Sequence, residues 1–198
     1  MNSSTKSTHK LSLRLKHETA TEHERMHQLM QQANIFATKE KYAQFTLSQY
    51  YFQREIESLF EKEGVSSLIP DIDIRGRSKY ALADLNDLGI QPTQYQIHTE
   101  NVELPEALGW IYVSEGSTLG AAFLFKEAQK RLGFSETYGA RNLAAYPEGR
   151  AKVWKRFVQV LDESGFNQIQ QNQVIQGAFD AFKYFGHALH QIQLNELK

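Results

Sequence analysis

The chain is predicted to be all-α, a single domain built as a multi-helix bundle. Apolar residues recur at helical spacing through most of its 198 residues, the mark of amphipathic helices. No internal repeat or low-complexity linker divides it. With 41% hydrophobic and 12% aromatic residues it has the material for one sizeable core and is excluded from wholesale disorder.

Residues 1–9, Met-Asn-Ser-Ser-Thr-Lys-Ser-Thr-His, lack the apolar core of a secretion signal and are expected to form a flexible tail, leaving 10–198 as the domain. Helices are expected near 10–32, 39–62, 77–88, 103–132, 148–164 and 168–194. Thr38 is placed to cap the second. Pro70 and Pro92 end or interrupt segments, Pro147 suits a first turn, and Gly133 and Gly165 suit helix ends. The stretches 66–76 and 91–98 are the least periodic and remain unassigned.

Charge and composition narrow the partners. Twenty-two basic against 23 acidic residues give a net charge of −1, so no overall attraction to nucleic acid or to an anionic membrane is expected. Zero cysteines exclude disulfides, thiolate ligation, iron–sulfur clusters and a cysteine nucleophile, and fit a cytoplasmic setting. The most apolar stretch, around 110–126, is interrupted by Glu115 and Lys126 and falls short of the ~20 uncharged residues of a membrane helix. The final Gln-Leu-Asn-Glu-Leu-Lys carries no membrane anchor.

Two segments carry chemistry. In Trp110–Lys126, Gly116 and Gly120 lie inside an expected helix, where each costs roughly 1 kcal/mol against alanine. Four residues apart, they share a face with Tyr112 and bare a strip of backbone that a flat ligand or another helix can approach. Near the N-terminus, Lys16, Ala20, His23, His27 and Met30 recur on one helical face. Lys16 precedes His23 by about 10.5 Å of helix at 1.5 Å per residue, close to the span from a haem iron to its propionate edge. An imidazole facing a glycine-lined helix would sandwich such a macrocycle, with a lysine at its acidic rim.

On these residues the chain resembles the haem (heme) oxygenase family, in particular its soluble bacterial branch. His23 in Lys16-x6-His23 matches the proximal iron ligand, and Glu115-Gly-Ser-Thr-Leu-Gly120 matches the glycine-kinked distal helix, with Ser117 between its glycines. Gln49, Arg77, Trp154 and Tyr184 stand where bacterial relatives place a polar distal network, and Lys16 and Tyr112 match contacts to the propionates. The resemblance implies that haem b (iron protoporphyrin IX) is both cofactor and substrate. It would be opened by O2 and electrons to biliverdin, carbon monoxide and ferrous iron, in iron acquisition or bilin supply. Retention of Lys16 and Tyr112 implies the α isomer.

The electrons must come from an external electron donor, a ferredoxin, a flavodoxin or an NAD(P)H-dependent reductase, since no G-x-G-x-x-G fingerprint is present. Position 27 departs from the family, which commonly has an acid one turn after the proximal histidine to orient its imidazole; here it is His27, a rival ligand or a partner of His23 around zinc.

Two other classes compete. A non-catalytic haem-binding protein could use the same His23 and glycine helix. A ferritin-like di-iron protein needs two Glu-x-x-His pairs and two further glutamates, and only Glu24-Arg-Met-His27 is found.

Overall fold

The computed structural model describes residues 10–94 and 96–194. Within them run α1 (Leu11–Glu18), α2 (Ala20–Ala33), α3 (Lys39–Phe60), α4 (Val65–Leu68), α5 (Ser78–Asp87), α6 (Ala107–Leu132), α7 (Arg150–Glu163) and α8 (Gln168–Leu194). Single 3₁₀ turns lie at Ile72–Ile74 and Arg141–Leu143, and among the described residues extended pairing is limited to isolated bridges at Ser135. The expected tail, residues 1–9, lies outside the described residues. Five of the six expected helices form as single elements. The expected helix 10–32 forms as two, α1 and α2.

That break has a local cause. The Thr19 hydroxyl donates to the Leu15 carbonyl at 2.7 Å, competing with the backbone ladder in the way that bends helices. Thr19 itself leaves helical geometry at φ −98° and ψ 7°, yet His23 N–H still donates to its carbonyl at 3.0 Å. Lys16 and His23 therefore stand on either side of a bend. Elsewhere capping follows the sequence: Thr38 accepts from Lys41 N–H at 3.2 Å, and Gly133 closes α6 in the left-handed conformation at φ 71°.

The long α8 is the spine, with α1, α2, α3 and α6 all leaning on it. It crosses α6 so closely that a Cβ on Gly109 would lie 1.9 Å from the Val174 carbonyl oxygen, and one on Gly177 would lie 2.2 Å from that of Glu106. Only glycine fits at this crossing. Around it Phe52, Ile56, Leu108, Ile111, Phe157 and Val174 make the main core, and Tyr42, Phe45, Phe134, Leu143 and Leu189 a second cluster. Each such side chain contributes about 1.5–3 kcal/mol by its removal from water.

Buried carboxylates tie down the irregular stretches. Glu55 of α3 accepts from His98 N–H at 3.0 Å and from the Thr99 N–H and hydroxyl at 3.0 and 2.7 Å. Asp84 of α5 accepts from the Arg141 and Asn142 N–H groups at 2.9 and 2.8 Å. Charge-assisted bonds of this kind offset the cost of burying both partners. No helix among the described residues is long and apolar enough to cross a membrane.

Candidate active site

The glycines in the middle of α6 differ from those at its crossing with α8. A Cβ on Gly120 would meet nothing within 4 Å, and one on Gly116 would meet only the Trp154 ring at 3.7 Å, ordinary contact. Helix packing therefore accounts for Gly109 and Gly177 but not for Gly116 and Gly120. At helical spacing with them stand Leu119 and Phe123, 40% and 65% exposed. Gly116, Leu119, Gly120 and Phe123 thus form one open face, half bare backbone and half uncovered apolar side chain. It suits a flat apolar ligand.

Tyr112 stands one turn before Gly116, and its ring lies 5.5 Å from that of Trp154 on α7. Burial pushes the Tyr112 phenol up, so it is a hydrogen-bond donor at neutral pH. The Ser117 hydroxyl, between the glycines, donates back to the Ser114 carbonyl at 2.7 Å.

On α2, His23 is exposed, and its ring lies 4.7 Å from that of His27, tilted by 41°. Partial burial holds the His23 imidazole below its ordinary range, and a charge on His27 lowers it further while Glu24 opposes both. A neutral imidazole is the form that ligates a metal. Ala20 is exposed with it on α2, and Lys16 is exposed on α1 across the bend at Thr19. Among the described residues no group of three or more His, Cys, Asp or Glu side chains is placed to hold a metal ion. The imidazole of His23 on α2 and the bare backbone face of α6 are groups of the kind that fit an iron porphyrin.

The four expected network residues fall into three places. Gln49 and Arg77 come together through Asn142, whose side-chain amide donates to Gln49 Oε1 at 2.6 Å and whose carbonyl accepts from Arg77 at 2.5 Å. Arg77 also donates to the Ala144 carbonyl at 2.6 Å and lies over the Tyr146 ring at 5.1 Å. Trp154 backs Gly116 instead. Tyr184 belongs to an aromatic cluster with Phe52, Trp110 and His98, and burial followed by the Glu55 carboxylate raises its phenol well above the usual range.

Behind α6 lies a polar layer that reading the sequence did not single out. Glu115, 2% exposed, accepts from Arg75 at 2.5 Å and from the Tyr146 hydroxyl at 3.2 Å. Arg150 donates to the Thr118 carbonyl at 3.1 Å, between the two glycines. No periodicity marks these residues; Glu115 on an otherwise apolar helical face was the one visible sign.

Comparisons with known proteins point to one family. The family model described as "Heme oxygenase" matches residues 9–191. Heme oxygenase PigA of Pseudomonas aeruginosa is 41% identical over 182 residues, 91% of either chain. A heme oxygenase from Neisseria meningitidis, solved with NO and CO bound, superposes with a TM-score of 0.88 at 32% identity, covering 96% of this chain and 95% of that one. Heme oxygenase 2 of Chlamydomonas reinhardtii, solved without heme, shares the fold at a TM-score of 0.80 and 18% identity, over 91% of this chain and 96% of its own.

Proposed function

This chain belongs to the heme oxygenase family and is an enzyme of heme degradation, and on that premise we propose that it opens haem to α-biliverdin, carbon monoxide and ferrous iron. The open face of Gly116, Leu119, Gly120 and Phe123 carries this reading, because nothing among the described residues explains the missing side chains. Bound haem supplies the iron at which oxygen is reduced and the carbon skeleton that is opened.

The residues have separate tasks. His23 would offer a neutral imidazole from α2 to the haem iron. Gly116 and Gly120 would let backbone approach the haem, where they place no acid–base side chain and leave room for water. Trp154 limits how far the segment can retreat at Gly116. The Gln49–Asn142–Arg77 group offers fixed polar atoms for ordering that water. Lys16 and the Tyr112 hydroxyl would hold the haem propionates, which is the contact expected to favour the α isomer.

Electrons come from a separate protein or reductase, a ferredoxin, a flavodoxin or an NAD(P)H-dependent enzyme. The absence of a membrane-crossing helix among the described residues and of any cysteine supports a cytoplasmic enzyme of iron acquisition or bilin supply. Titration with ferric haem tests the site. One equivalent should bind with a sharp Soret band, and His23→Ala should abolish the native axial ligation seen by resonance Raman while leaving the helical circular dichroism intact.

A further inference from the structure

Arg75 is the largest fully buried side chain of the described core, and its guanidinium joins three elements. It grips Asp71 through two bonds of 2.9 and 3.0 Å, donates to the Val153 carbonyl of α7 at 3.3 Å, and lies over the Phe157 ring at 5.6 Å. Its remaining arm donates to Glu115, the residue immediately before Gly116. From Asp71 the ion chain continues to Arg156 at 2.7 Å and from Arg156 to Glu148 at the surface at 3.0 Å. The other Glu115 oxygen accepts from Tyr146, whose ring carries Arg77. Glu115 thus joins a buried ion chain on one side to the Gln49–Asn142–Arg77 group on the other.

Such an arrangement is costly as a mere stabiliser. Taking both ions out of water offsets most of their attraction, and well-packed apolar residues of similar volume serve stability as well or better. Its position suggests what the cost secures. The Gly116–Gly120 segment has bare backbone on its open face and two glycines that loosen the helix, so its rotation must be fixed from behind. Glu115 is buried on the flank of α6, about 100° around the helix from Gly116, and Arg150 holds the Thr118 carbonyl between the glycines.

We propose that Glu115 and Arg75 are positioning residues that fix the glycine segment of α6 against the haem ring. The proposal rests on the reading that haem lies on that segment. By holding Glu115 between α7 and the Asp71 turn, the pair sets the height and rotation of the bare backbone over the ligand, and with it the space left for a small distal ligand.

The test is the double variant Glu115→Leu/Arg75→Met, which removes both charges together and leaves neither orphaned, beside Glu115→Gln and Tyr146→Phe, which keep the packing. In the apo protein, amide exchange at residues 117–121 should quicken at least tenfold in the double variant, with the rest of α6 unchanged. With haem bound, the C–O stretching band of the ferrous carbon monoxide complex should broaden or split, and the biliverdin isomer ratio should move at least threefold, while the Soret band shows that haem still binds through the same ligand. Glu115→Gln should give an intermediate exchange rate. If the double variant does not fold, exchange in Glu115→Gln and Tyr146→Phe decides. Wild-type exchange at 117–121 in a folded variant overturns the proposal, as does an unshifted carbon monoxide band with wild-type isomers. A wild-type protein that binds no haem refutes the proposed function instead, and the apo exchange still decides for the brace.

Discussion

The His27 ring lies 4.7 Å from the His23 ring, one helical turn further along α2. Partial burial disfavours a positive charge on His23 and a charge on His27 disfavours it further, which favours the neutral imidazole that ligation needs. On the proposed assignment His27 is a neighbour of the ligand rather than its replacement. His27→Ala should keep the haem spectrum and a single Fe–His stretching band, shifted in frequency, whereas His23→Ala loses that band. Retention of the native band in His23→Ala with its loss in His27→Ala would reverse the assignment.

The two kinds of glycine on α6 predict opposite outcomes. Gly120→Ala fills empty space and gains helix propensity, so the apo protein should be stabilised by up to about 1 kcal/mol. Gly120→Leu should leave the apo fold intact and sharply weaken haem binding, because its branched side chain would occupy the ring's place. Gly109→Ala drives a Cβ into the Val174 carbonyl and should cost about 1–3 kcal/mol or more. Thermal melts and haem titrations of the three variants check this; haem binding by Gly120→Leu at wild-type affinity would place the ligand elsewhere.

The helices, the cap at Thr38 and the open glycines were legible in the sequence because each rests on local chemistry: spacing, a side-chain oxygen, a missing Cβ. The break at Thr19 was not, since one threonine inside a helical pattern does not announce whether its hydroxyl turns back on the chain. The stretches 66–76 and 91–98 have no periodicity to read: the first holds the one-turn α4 and the 3₁₀ turn Ile72–Ile74, too short for a pattern, and the second is held at His98 by Glu55 from a helix some 40 residues away in sequence. The brace behind Gly116 was hidden for the same reason. Arg75, Glu115 and Tyr146 are scattered along the chain and meet only in three dimensions. Gly109 and Gly177 also escaped notice, because a packing glycine is visible only once its partner helix is in place.

Lys16 is exposed on α1, so its contact with a propionate would be partly screened and worth about 1 kcal/mol or less. Lys16→Ala should accordingly shift the biliverdin isomers several-fold toward a mixture rather than replace one isomer with another. Chromatography of the product decides; an unchanged isomer ratio would assign the ring's rotation to other residues.

The surface end of the ion chain gives a pH dependence with a defined sign. Glu148 accepts from Lys152 at 2.8 Å and from Arg156 at 3.0 Å, and these bonds hold its carboxyl down at about 2. A carboxyl depressed on folding stabilises the protein above its ordinary pKa, and that contribution is lost as pH falls through the folded value. Glu148→Gln should therefore melt slightly below wild type at pH 7, and the difference should close between about pH 4.5 and 2. A gap that widened with acid would contradict the ion-pair assignment.

The central claim is that the bare face of α6 holds a haem that the protein itself consumes. The most direct measurement is a single-turnover reaction of the haem-loaded protein with oxygen and a reductant, with catalase present to remove free peroxide. The Soret band should disappear, one equivalent of carbon monoxide should be trapped, and a linear tetrapyrrole, mainly α-biliverdin, should be recovered. An intact Soret band under reducing, oxygenated conditions, with neither carbon monoxide nor bilin formed, would contradict it.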